Sequence, residues 1–218
     1  MTRRIILSLS QCTDLDLVGG KAVGLARLIA GGFLVPQGFC VTTEAYTQYV
    51  HASGFMEHEE WQKVCALSGN ERASVLAGCR EQIRRIETSQ LAAHCLTALQ
   101  GLNQPPNTRW AVRSSATNED AAHTSFAGLY RTHLGVALSD IEAALKDLWV
   151  SLWEERVVSY QARQSNHTAP RMAVVIQPMV EAQSAGVAYS IHPVTGRSNQ
   201  VTINAVLGLA APLVDGTV

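Results

Sequence analysis

Arg113, Ser114 and Ser115 stand in a row where a short apolar run, Trp110 to Val112, gives way to a polar loop, Thr117 to Thr124. A guanidinium is a forked donor that matches phosphate oxygens, and small loop residues let backbone N–H groups approach them. The loop closes on a small-residue turn, Ala127-Gly128, before a second strand pattern from Leu129 to Val136. Spacing alone supports equally a pairing of Arg113 with Glu119 or Asp120, the serines then only turning the chain. Lys21 is a second candidate. It follows Gly19-Gly20 and opens a helical spacing at Leu25, Leu28 and Ile29 that ends at Gly31-Gly32. Helix starts carry unpaired N–H groups and partial positive charge, which attract phosphate. A lysine there runs against the helix dipole, which hints at a ligand; a solvated surface lysine explains it as well. The segment is not a P-loop, because the upstream glycine is absent and Ala22 replaces the hydroxyl residue that should follow the lysine. A third stretch is Gln177-Pro178-Met179-Val180. Pro178 ends a strand or marks an edge. Gln177 and the backbone near Met179 and Val180 are then free for a planar base, or this is an ordinary strand end.

The elements that must position these residues alternate between helix and strand. Ile5 to Leu9 reads as a strand. Val35 to Val41 is a turn into another, and Thr42 or Thr43 caps a helix to about His51. Residues 56–101 are mostly helical in pattern, broken near Gly69-Asn70. Leu76, Ile83, Ile86, Leu91, Leu96 and Leu99 are the expected core positions there. Ser139 with Glu142 reads as a capping box for one helix reaching about Gln164, with Trp149 and Trp153 in its apolar face. Met172 to Ile176, Ala185 to Ile191 and Val201 to Leu207 read as three strands of one antiparallel sheet. An α+β fold is expected, with a helix-rich part over 1–109 and a sheet-containing part over 110–218.

Bulk numbers exclude several classes. Net charge is −1 over 218 residues, so neither nucleic acid nor an anionic membrane surface is expected as the partner. No apolar run approaches the ~20 residues that span a bilayer, and the N-terminal one is too short for a signal peptide. The five cysteines are scattered and odd in number. They fit reduced, buried thiols of a cytoplasmic protein.

Arg113-Ser114-Ser115-Ala116-Thr117, Glu119-Asp120 and Ser125-Phe126-Ala127-Gly128 together resemble the signature of the ATP-binding domain of phosphoenolpyruvate synthases, pyruvate phosphate dikinases and rifampin phosphotransferases. Val18 to Gly24, Val35 to Tyr46 and Ala173 to Gly196 also match. The resemblance implies an ATP-grasp-like fold, with ATP between a helix-rich lobe and a sheet-rich lobe. It implies Arg113 and Lys21 as catalytic residues on the phosphates. Gly128 would let the loop backbone close on them, and Thr132 would add a hydroxyl. Gln177, Met179 and Val180 would form the adenine side. In such proteins ATP gives a phosphoryl group to a histidine on a swivelling domain, which carries it to pyruvate or an antibiotic hydroxyl. The implied partners are thus ATP, that phosphohistidine domain and an acceptor-binding domain, on the same or a separate chain.

Two departures stand out. His192 occupies a position where relatives usually carry Asp, and Gly208-Leu209-Ala210-Ala211 stands where they have Gly-Leu-Gly-Glu. No metal ligand is assigned within the chain; those for Mg2+ are expected beyond Val218, as is the phosphocarrier histidine, and His123 is not expected to serve as one. The chain is expected to be incomplete at its C-terminal end. It would be an excised piece, a truncated gene or a separate subunit. A non-catalytic nucleotide-binding or interaction module is the alternative function, and a ligase joining a carboxylate to an amine is a third.

Overall fold

The computed structural model describes residues 4–55, 57–117, 130–163, 169, 171–214 and 216–217. They form two compact units, Met1–Met179 and Val180–Val218. The first is built on a five-stranded sheet of β1 (Ile6–Ser8), β2 (Phe39–Val41), β3 (Trp110–Ala116), β4 (Thr132–Val136) and β5 (Met172–Pro178). Its spatial order is β1-β2-β5-β3-β4, and every pairing is antiparallel. The expected division at 109/110 runs through this sheet, because β2 pairs with β5 across it. Strand pairing at such separation leaves no mark on local composition.

β5 is apolar on both faces, which suits the centre of a sheet covered on both sides. Successive side chains alternate. Ala173 and Val175 therefore pack with Cys40, Val18, Ala22, Val23 and Ala26 under α1 (Leu15–Ala30). Met172, Val174 and Ile176 join the larger core on the other face. That core is closed by α2 (Thr43–Ala52), α3 (Glu57–Ala66), α4 (Gly69–Arg84), α5 (Ser89–Gln100), α6 (Ile141–Ser151) and α7 (Glu155–Arg163). Trp61, Trp149 and Trp153 are fully buried in it. Trp153 lies edge-on to Phe55 at 5.2 Å and to Trp61 at 6.2 Å, and its Nε1 donates to the Tyr46 hydroxyl at 3.3 Å. Such pairs add about 0.5–1.5 kcal/mol beyond burial.

Several expectations meet corrections. Thr42 caps α2 as expected, its side chain accepting from Ala45 N, but Ser139 caps nothing. A 3-10 turn over Leu138–Asp140 leads into α6, whose N-cap is Asp140, and Glu142 instead accepts the Thr88 hydroxyl. The helix expected to reach Gln164 is two helices, α6 and α7. Leu96 is 41 % exposed, whereas the other five predicted core residues between 76 and 99 are buried. β5 does not share a sheet with the two later strands. In the second unit β6 (Ser184–Tyr189) and β7 (Thr202–Leu207) pair with each other, followed by α8 (Ala211–Val214). In the turn between them the His192 Nδ1 accepts from Val194 N and Thr195 N, both at 3.2 Å. A ring nitrogen thus does the turn-capping work that the expected Asp would do with an oxygen.

Glu57 opens α3 with its carboxyl 5 % exposed. Its Oε1 has no hydrogen-bond partner among the described residues, and its Oε2 lies 3.9 Å from His51 Nε2. Burial pushes its pKa up from 4.5 to about 7, against the pull of the Arg171 guanidinium. The folded state therefore holds a proton that the unfolded chain releases between those two values. Stability falls as pH rises through that window, and the loss is complete above it. Glu57→Gln is expected to exceed the parent in stability at pH 8 by up to about 3 kcal/mol, and to differ little below pH 4.5. Denaturant titrations at both pH values check this; equal midpoints at pH 8 would remove the effect.

Candidate functional site

β3 extends four residues beyond the apolar run that announced it, so Arg113 lies mid-strand and Ser114 and Ser115 are fully buried rather than in a loop. Alternation puts Arg113 and Ser115 on the face beneath α1, and Val112, Ser114 and Ala116 on the face of the larger core. Arg113 pairs with Thr132 on β4 and with Val175 on β5. Cross-strand neighbours share a face, so the Thr132 hydroxyl stands beside Arg113 on the α1 side.

Ser115 supplies the link to Lys21. Its hydroxyl donates to Val18 O at 2.7 Å and accepts from Ala22 N at 3.1 Å. These two bonds straddle Gly19-Gly20-Lys21. Gly19 has φ 72 and ψ 170, a non-helical conformation inside α1. A Cβ there would overlap the Ser115 carbonyl and come within 2.6 Å of its Oγ. Glycine is thus required twice, for its positive φ and for the approach of α1 to β3. Lys21 follows this kink at a helix start, one residue from the amide pinned on Ser115. Two predicted residues far apart in sequence, Lys21 and Arg113, are thereby tied to one stretch of β3. The Gly19-Gly20 pair before a helix was legible in the sequence; the Ser115 hydroxyl as its tether was not, since 93 residues separate it from Ala22.

Two of the residues expected on the adenine side have partners within the fold. Gln177 is buried, and its Nε2 donates to Pro36 O at 2.9 Å. A Cβ on Gly38 would come 2.7 Å from Gln177 Cγ, so glycine there admits the side chain. Met179 N donates to Arg109 O at 2.8 Å. The amide and the N–H expected to be free are thus engaged in holding the 36–38 turn and the end of β5. Val180 is exposed in the second unit. Gly128, with Glu119, Asp120, His123 and Ser125 to Ala127, lies outside the described residues. Among the described residues no three His, Cys, Asp or Glu side chains cluster as metal ligands. No helix among them is long and apolar enough to cross a membrane.

Helices on both faces of an antiparallel sheet define an α+β domain. Residues 15–218 match the family described as the AMP/ATP-binding domain of pyruvate phosphate dikinase, and the chain belongs to that family. It is 38 % identical to a phosphoenolpyruvate synthase of Aeropyrum pernix, an alignment covering 100 % of this chain and 28 % of that protein. A rifampicin phosphotransferase of Streptomyces sviceus is 34 % identical, over 100 % of this chain and 26 % of its own length. One from Bacillus cereus is 33 % identical, over 94 % and 24 %. The chain is thus an ATP-binding domain of the phosphoenolpyruvate synthase and pyruvate phosphate dikinase type, spanning about a quarter of the length of these relatives.

Proposed function

We propose that this chain binds ATP on the α1 side of the five-stranded sheet and presents it for transfer of a phosphoryl group to a histidine of a separate swivelling domain, from which it passes to pyruvate or an antibiotic hydroxyl. The observation that carries the reading is the tie between Arg113 with Thr132 beside it and the Gly19 kink that bears Lys21. Arg113 offers a planar fork to phosphate oxygens. Lys21 neutralises charge at a helix start, and Thr132 adds a hydroxyl. Gly128 lets the neighbouring loop close on the phosphates, while Gln177 and Met179 serve the base end. Positioning and charge neutralisation of this kind dominate phosphoryl transfer. The incoming histidine nitrogen forms the new bond to phosphorus as the phosphoanhydride oxygen leaves with its electron pair, and the histidine proton goes to solvent. We take the architecture as ATP-grasp, the location as cytoplasmic, and the Mg2+ ligands as coming from outside these residues.

The test is a calorimetric ATP titration, followed by incubation with labelled ATP and a phosphohistidine domain from a relative. Binding and label on the added histidine are expected. Binding without transfer, even when Mg2+ is supplied, makes the chain a nucleotide-binding module. Turnover that needs a carboxylic acid and no histidine domain points to a ligase.

A further inference from the structure

β4 enters the sheet beside Arg113, but what grips its first residues lies on the opposite face. Alternation sends Thr132 to the α1 side, and Arg131 and His133 to the side of α6. One carboxylate on α6 meets both. Arg131 Nη1 donates to Asp147 Oδ1 at 3.1 Å and Oδ2 at 2.9 Å, and His133 Nε2 lies 2.9 Å from the same Oδ2. Arg131 Nη2 also pairs with Glu154 beyond the end of α6. One residue earlier, the buried Gln161 donates to the Tyr130 hydroxyl at 2.9 Å. The chain on each side of Thr132 is therefore clamped to the helices, and Asp147 is the group the two flanking side chains share.

Arg131 is 44 % exposed, and Asp147 and His133 are each 33 % exposed. Ion pairs this wet add little to global stability. Three contacts converging on one carboxylate do restrict where β4 sits relative to β3, and site residues work only when their supporting shell holds them to a fraction of an ångström. We propose that Asp147 is a positioning residue: by holding Arg131 and His133 it fixes the Thr132 hydroxyl beside Arg113 and so sets the affinity of the site for nucleotide phosphates. This assignment rests on the nucleotide reading above.

The test is ATP affinity by calorimetry for the unmodified chain, Asp147→Ala, Arg131→Gln, Thr132→Val and the Asp147→Ala/Thr132→Val pair, with melting temperatures recorded without nucleotide. Asp147→Ala is expected to weaken ATP about tenfold with little change in melting temperature. In the Thr132→Val background the same change is expected to add less than twofold, because the group it positions is gone. Arg131→Gln, which leaves the His133 contact in place, gives a smaller loss and carries the test should Asp147→Ala fold poorly. Affinity within twofold of the parent in both Asp147→Ala and Arg131→Gln overturns the assignment, and so does a full tenfold loss persisting in the Thr132→Val background. Failure of the unmodified chain to bind ATP overturns the nucleotide reading itself, and this assignment with it.

Discussion

Arg113→Ala is expected to weaken ATP binding by about 100-fold or more, close to 3 kcal/mol. Two charge-assisted hydrogen bonds to phosphate disappear together, and Lys21, a point charge on a flexible stem, cannot reproduce the planar fork. Arg113 projects from the middle of β3, between Val175 and Thr132, so the truncation leaves the sheet's backbone bonds in place. The melting temperature without nucleotide is expected to fall by only a few degrees. Arg113→Lys keeps the charge but loses the planar pair of donors, and should recover only part of the affinity. Thr132→Val should cost less than Arg113→Ala, since it removes a single hydrogen bond to a charged phosphate, worth about 1.5 kcal/mol or somewhat more. Unchanged affinity for Arg113→Ala in a calorimetric titration would take the guanidinium out of the site and leave the row Arg113-Ser114-Ser115 as strand packing alone.

Gly19→Ala is expected to be the most damaging small substitution in the chain. An alanine must hold φ 72 against its own Cβ, at roughly 1 kcal/mol. That Cβ also overlaps a backbone carbonyl of β3, which no rotamer change can move. α1 must lift from the sheet, breaking the Ser115 bonds to Val18 and Ala22. We expect a loss of at least about 3 kcal/mol and a melting temperature lower by about 6–12 °C, with ATP affinity falling alongside because Lys21 rides on the same turn. Gly24→Ala, five residues on in α1, is the control. Nothing lies within 4 Å of a Cβ there, so ordinary helix propensity applies and the change should stabilise by up to about 1 kcal/mol. A Gly19→Ala chain that melts with the parent would mean that the close contact between α1 and β3 is not maintained in solution.

The sequence by itself determined the fold class, most elements and the family. Apolar runs such as Met172 to Ile176 leave no alternative to a buried strand, Thr42 or Thr43 is a cap wherever the chain goes next, and several ordered motifs are readable because their spacing is local. It also singled out Arg113 and Lys21 by side-chain chemistry. Only the tertiary structure decided which strands pair, and so where the chain divides: β2 beside β5, with β6 and β7 apart. It alone showed that Ser115 is a tether rather than a loop hydroxyl, that Gln177 is spent on Pro36, and that Asp147 stands behind Thr132. The physical reason is common to all of these. Periodicity and capping act over a few residues and are written in composition, whereas a hydrogen bond across 93 or 141 positions depends on which faces meet once the sheet has formed.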